Sequence, residues 1–313
     1  MSASLTTTET ASQPECWQRA ADLAPAEAGK LPRDGERVAV IGCGTSWFMA
    51  QSYAALREQG GHGETDAFAA SEFPFGRGYD RVLTITRSGT TTEVLRASER
   101  LRTAGVAVTA ITADPHTPVM EAADEVVVLD FADEQSVVQT RFATTALALL
   151  RAHLGHDLTA AVADARLALA QELPTTVTAA EQFTFLGTGW TYGLAQEAAL
   201  KMREAAGAWT ESYPAMEYRH GPISITGPGR VVWAFGALPE GLADNVAGVG
   251  GLLEAGSAAA GDGGTSAVGG TGAAVLDPLA DLVRVQRLAV AIAENKGYDP
   301  DRPRNLTRSV VLA

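Results

Sequence analysis

The amino-acid sequence predicts an α/β chain of two doubly wound parallel-sheet domains related by internal duplication, and three observations carry that expectation. Short β-branched runs alternate with helix-length amphipathic stretches, the pattern of buried strands joined by crossover helices. A glycine-rich turn recurs, since Ile41-Gly42-Cys43-Gly44 followed by Ala50-Gln51 returns as Leu186-Gly187-Thr188-Gly189 followed by Ala195-Gln196 with the same internal spacing. The length of 313 residues, with 46% hydrophobic content, suits two cores at roughly 150 residues per domain.

Residues 1–30 are expected to form an N-terminal helical arm, amphipathic from about 9 to 22 with Gln13-Pro14 marking its start. The first domain, 31–156, takes strands at 37–41, 82–86, 106–112 and 125–129, each followed by a helix-length segment. Stretches 136–153 and 158–173 have helical patterns, and Pro174 closes the connection. The second domain, 157–313, opens with a strand at about Phe183 and continues with another at 231–235. From 238 to 271 glycine and alanine dominate, including Gly261-Asp262-Gly263-Gly264 and Gly269-Gly270, so a loosely built segment is expected, with a strand pattern returning only at 273–276. A helix at 278–295 follows, then a Pro- and Arg-rich tail too short to fold alone.

Charge and composition narrow the function. A net charge of −13 opposes binding to nucleic acid or anionic membranes, so an anionic substrate needs a local positive site. Met1-Ser2-Ala3-Ser4 begins neither a basic nor an apolar leader, and no stretch is apolar and long enough to cross a bilayer; a cytoplasmic protein is expected. Cys16 and Cys43 make no disulfide framework. His153 and His156 follow no Cys, Asp or Glu at ligand spacing. Neither a metal nor a cofactor is expected.

Two hydroxyl-bearing turns stand out in the first half. Gly42-Cys43-Gly44-Thr45-Ser46 follows a buried strand and opens a helix, placing backbone N–H groups and two hydroxyls at a positive helix end. It lacks the third glycine of a dinucleotide fingerprint, having Trp47 there. Thr86-Arg87-Ser88-Gly89-Thr90-Thr91-Thr92-Glu93 carries five hydroxyl residues within seven positions and again leads into a helix, a metal-free phosphate cradle. The competing interpretation is an N-cap run in which Thr91 or Thr92 satisfies helix amides.

In the second half Glu197, Lys201 and Glu204 share a helix face by their spacing, as catalytic groups or as an ion-paired stripe. Downstream, Tyr213-Pro214-Ala215-Met216-Glu217-Tyr218-Arg219-His220-Gly221-Pro222 has the mixture of polar and aromatic groups of a functional loop. No Ser/Thr-rich turn follows 231–235, where Gly236-Ala237-Leu238-Pro239-Glu240 stands instead; this half is not expected to bind phosphate.

These motifs carry a resemblance. Cys43-Gly44-Thr45-Ser46, Thr86-Arg87-Ser88-Gly89, Glu197-Ala198-Ala199-Leu200-Lys201-Met202-Arg203-Glu204, Glu217-Tyr218-Arg219-His220-Gly221-Pro222 and Pro303-Arg304-Asn305-Leu306 occur in the order found in the SIS (sugar isomerase) family. The chain resembles its double-SIS members, similar to the isomerase half of glucosamine-6-phosphate synthase and to amino-sugar phosphate isomerase/deaminases. That resemblance implies two SIS-type domains and a hexosamine 6-phosphate ligand. Cys43, Gly44, Thr45, Ser46, Thr86, Arg87, Ser88 and Thr91 would hold the sugar phosphate, with Val137, Glu197 and Arg308 adjoining it. Glu204 would move the C2 proton with Lys201 beside it, and His220 would assist ring opening from the neighbouring subunit of a homodimer with shared active sites.

One departure limits the chemistry. Where the synthase pattern has a Schiff-base lysine after Pro-Arg-Asn-Leu, this sequence has Arg308, and its lysines are Lys30, Lys201 and Lys296; a guanidinium that stays protonated is no such nucleophile. Isomerisation with or without deamination is therefore expected ahead of synthase chemistry. Dehydration of an N-acetylated substrate and a non-catalytic phosphosugar sensor stand as alternatives.

Overall fold

The computed structural model describes residues 3–255 and 276–312. These divide into two compact units, one running to Thr159 and including the tail from Arg304, the other spanning Ala160–Pro303. The tail, grouped on sequence with the second domain, thus falls with the first unit. The glycine-rich stretch at 261–270 and the expected strand at 273–276, Leu276 apart, lie outside the described residues.

In the first unit two helices, α1 (Leu5–Ala11) and α2 (Gln13–Glu27), form the N-terminal arm. Ser4 caps α1 by accepting the Thr7 amide at 3.1 Å, and Pro14 lies in the first turn of α2, where its missing N–H costs nothing. There follow β1 (Val38–Gly42), α3 (Thr45–Gln59), β2 (Thr65–Ala69), β3 (Arg81–Ile85), α4 (Thr92–Thr103), β4 (Ala107–Thr112), α5 (Val119–Ala122), β5 (Glu125–Val128) and α6 (Arg141–His153). The five strands are parallel, in the order β2-β1-β3-β4-β5. Every residue of β1 and β3 is buried, as the β-branched runs required. Val94, Ala97 and Leu101 of α4 pack with Ala39, Ile41, Val82 and Val108 of the sheet in one core. The fully buried Trp17 fastens the arm, its indole N–H donating to Thr144 Oγ1 of α6 at 2.9 Å.

The second unit contains α7 (Thr159–Ala170), α8 (Thr175–Thr178), β6 (Gln182–Gly187), α9 (Thr191–Ala206), β7 (Trp209–Pro214), β8 (Arg230–Phe235), α10 (Leu242–Gly248), β9 (Leu252–Ala255) and α11 (Pro278–Asn295). Its described strands are parallel, in the order β7-β6-β8-β9. Leu186, Val232 and Ala234 of the sheet close a core with Ala215, Tyr218, Leu242 and Val246.

Four differences from the sequence expectations emerge. The helix expected from 136 begins at Arg141, because Glu134 takes the Thr140 and Arg141 amides at 2.6 and 2.8 Å and ties the preceding residues into a loop. The strand β2 went unread because Thr65-Asp66-Ala67-Phe68-Ala69 is a half-buried edge strand without a β-branched run. In the second half β7 includes Tyr213 and Pro214, assigned on sequence to a loop, and β9 lies within the stretch that showed no strand pattern. Both flank better-patterned strands at the sheet margins. No described helix is long and apolar enough to cross a membrane.

Candidate active site

The strand order of the first unit turns back between β1 and β3, the position at the C-terminal strand ends where open α/β sheets characteristically take their ligands. The two hydroxyl-bearing turns follow these two strands. At the end of β1, a Cβ on Gly42 would stand 2.7 Å from the Ser46 carbonyl carbon; glycine lets the first turn of α3 close on the strand. Gly44 takes φ +53, a backbone open mainly to glycine. Thr45 and Ser46 follow, both buried, and the Ser46 amide donates to the Cys43 carbonyl at 3.2 Å. Burial, reinforced by Glu93, pushes the Cys43 thiol up to about 11, so it is no nucleophile at neutral pH.

The turn after β3 is built on Gly89, at φ +61, where a Cβ would come within 2.0 Å of Thr117 Oγ1. Ser88 Oγ accepts from the Thr90 amide at 3.3 Å and the Thr90 hydroxyl at 3.1 Å. Thr90 Oγ1 also lies 3.0 Å from Ser309 Oγ. Thr91 is the N-cap residue of α4, yet its side chain makes no capping hydrogen bond. Thr92 instead accepts the Leu312 amide on its hydroxyl at 2.9 Å and donates its own amide to the Val310 carbonyl at 3.2 Å. The hydroxyl run is therefore not serving α4 as an N-cap. It offers an anion hydroxyls at the positive end of a helix.

Arg87 is committed elsewhere. Its buried guanidinium donates to the carbonyls of Ser136, Val137 and Arg308 at 3.2, 3.2 and 3.1 Å and lies 3.5 Å from the fully buried carboxylate of Glu134. Its terminal nitrogens thus bind backbone of the loop and tail beside the turn, opposite the Glu134 charge. Val137 meets it through its carbonyl, and Arg308 directs its own guanidinium to Asp133.

In the second unit α9 carries the acid–lysine cluster. Lys201, 1% exposed, places Nζ 2.5 Å from Glu204 Oε2 and 3.5 Å from Glu197 Oε1. Glu197 is equally buried, whereas the Glu204 side chain keeps 19% exposure. Glu204 is the member of the cluster open to a ligand. His220 is exposed at the end of a 3-10 turn, Glu217–His220.

Residues 33–154, which hold both hydroxyl turns, match the SIS domain family. This chain carries a SIS domain. The isomerizing glutamine–fructose-6-phosphate aminotransferase of Gloeobacter violaceus is 28% identical over 324 residues, covering 89% of this chain and 52% of the relative. The chain spans about half the length of the curated relatives it matches. Among solved structures, glucosamine-6-phosphate deaminase from Thermotoga maritima is 22% identical with a TM-score of 0.76, covering 98% of this chain and 100% of that one. Tagatose-6-phosphate ketose/aldose isomerase from Escherichia coli is 18% identical with a TM-score of 0.77, covering 99% and 96%. At these identities the likeness is one of fold.

Within the SIS domain Cys43, Gly44, Thr45, Ser46, Thr86, Arg87, Ser88, Thr91 and Val137 all lie on the two turns or on the loop bound to Arg87, and Arg308 joins them from the tail. Glu197, Lys201 and Glu204 come together on α9, while His220 lies on the segment after β7. Sequence reasoning missed Glu9, Glu134 and Ser136. Ser136 opens what looked like a helix, Glu134 lies in the connection just before it, and Glu9 looks like any polar residue of an amphipathic arm, so no periodic signal marks them.

Proposed function

We propose that the protein is a sugar-phosphate enzyme in which the turn at Thr86–Thr92 holds the phosphate of an amino-sugar 6-phosphate and Glu204 removes the proton from C2. The observation that carries this reading is the turn itself: five hydroxyl residues at the start of α4, with Thr91 not used as a cap. The SIS match and the names of the relatives support it. So does the Glu197–Lys201–Glu204 cluster, which sets a lysine ammonium beside the part-exposed Glu204 carboxylate.

Ring opening, assisted by His220, exposes an aldehyde at C1 that acidifies the C2 hydrogen. Glu204 takes that proton, giving an enolamine when the 2-amino group is free. Reprotonation at C1 yields an imine at C2, which water hydrolyses to ketose phosphate and ammonia. With an acetylated nitrogen the imine is closed off, and the enol leaves by losing the C3 hydroxyl. The same reading makes the protein a homodimer in which His220 serves the partner's site, and makes the second unit a diverged copy of the first, supported by the matching strand orders β2-β1-β3-β4 and β7-β6-β8-β9.

The test is to incubate the purified protein with glucosamine 6-phosphate and with its N-acetylated form while following ammonia, ketose and ultraviolet-absorbing unsaturated product. Ammonia with ketose from the free amine supports deaminating isomerisation, and unsaturated product from the acetylated sugar identifies the dehydratase. Tight binding without turnover of either identifies a sensor.

A further inference from the structure

Glu9 belongs to the N-terminal arm, outside residues 33–154 that match the SIS domain, yet its carboxylate is buried within it. Only 4% of the residue is exposed. Glu9 Oε1 accepts the Gln135 amide at 2.6 Å and the Ser136 amide at 3.3 Å, and Oε2 accepts the Ser136 hydroxyl. Every donor comes from one short segment. The carbonyls of that segment, from Ser136 and Val137, are the ones that Arg87 grips. The segment is thus held at the amides of Gln135 and Ser136 by the arm and at the carbonyls of Ser136 and Val137 by Arg87.

Burying a carboxylate is costly unless its acceptors are filled, and a hydrophobic contact would hold the arm at lower cost. Trp17 already supplies such a contact. Burial, with Glu134 adding to it, does push the Glu9 carboxyl up, while Ser136 and Gln135 pull it back. What the carboxylate adds over an apolar contact is direction: it fixes two successive amides and the Ser136 hydroxyl, and so anchors the chain at the residue whose carbonyl Arg87 contacts.

We propose that Glu9 is a positioning residue of the sugar-phosphate site, holding the 135–137 segment so that Arg87 and the turn from Thr86 to Thr92 keep their geometry. This rests on the phosphate-binding reading of that turn. Glu9 acts through the loop and Arg87 and does not touch the ligand.

The experiment measures glucosamine 6-phosphate binding by calorimetry on the full chain, with thermal midpoints recorded alongside, for wild type, Glu9→Ala, Glu9→Gln, Ser88→Ala and Trp17→Phe. Glu9→Ala is expected to weaken binding on the order of tenfold, and Glu9→Gln, which keeps an acceptor for the amides, to stay within about threefold of wild type. Trp17→Phe removes the indole hydrogen bond between the arm and Thr144 and is expected to lower the midpoint without changing affinity. If Glu9→Ala does not fold, Ser136→Ala removes the hydroxyl of the same clamp from the loop side and must weaken binding in its place. Wild-type affinity in Glu9→Ala, with binding lost in Ser88→Ala, overturns this proposal alone. Equal weakening by Trp17→Phe also overturns it, because the arm would then act only through stability. A wild-type protein that does not bind glucosamine 6-phosphate overturns the functional reading and this proposal with it.

Discussion

Lys201 Nζ stands 2.5 Å from Glu204 Oε2 and 3.5 Å from Glu197 Oε1, on successive turns of α9. The three groups share a helix face because residues three and four apart are neighbours there. Their burial differs, however: lysine and Glu197 are shut away, and Glu204 retains access. That asymmetry leaves Glu204 as the accessible carboxylate of the cluster.

Glu204→Gln keeps the shape and one acceptor of the side chain but removes the base. Turnover of glucosamine 6-phosphate is expected to fall by roughly a hundredfold to ten-thousandfold, with sugar-phosphate affinity nearly unchanged. Steady-state kinetics beside calorimetry checks this, and retained turnover would remove Glu204 from the mechanism.

Lys201→Met replaces the ammonium with an apolar group of similar length and takes its charge from beside the buried Glu197 carboxylate. Breaking a buried pair from one side costs about 3–5 kcal/mol. Urea denaturation is the measurement, and a loss below about 1 kcal/mol would place the pair among weak surface bridges.

Gly89→Ala puts a Cβ at φ +61 and within 2.0 Å of Thr117 Oγ1. Strain at such a backbone position costs on the order of 1–3 kcal/mol, and relief requires the turn bearing Ser88 to move. Reduced stability together with weaker sugar-phosphate binding is expected. A variant as stable as wild type would contradict the close approach of Thr117.

Cys43, pushed up to about 11 by burial, stays a thiol through neutral pH. At pH 8 its thiolate population is about a hundredfold below that of an ordinary thiol titrating at 9.0, one pH unit being a factor of ten. Alkylation by iodoacetamide, followed by mass spectrometry, is expected to be slow at pH 8 and to accelerate as pH approaches 11. Rapid labelling at pH 7 would show the site to be open.

Central strands were legible in the sequence because burial on both faces selects β-branched runs, as at Val38–Gly42 and Arg81–Ile85. Marginal strands were not: Thr65–Ala69, Trp209–Pro214 and Leu252–Ala255 are partly exposed, and the pattern weakens where only one side needs apolar residues. Of the candidate site, the hydroxyl turns and the α9 cluster were visible because each is local, written within one turn or one helix face.

By itself the sequence determined the α/β class, the position of both turns and the shared face of Glu197, Lys201 and Glu204, since all three depend on periodicity and short spacing. Only the tertiary structure decided that Arg87 spends its guanidinium on backbone carbonyls, that Glu9 reaches Ser136 and that Val310 meets the Thr92 amide. Those contacts join residues far apart in the chain, and a hydrogen bond depends on where the folded backbone brings donor and acceptor together, which no local pattern encodes.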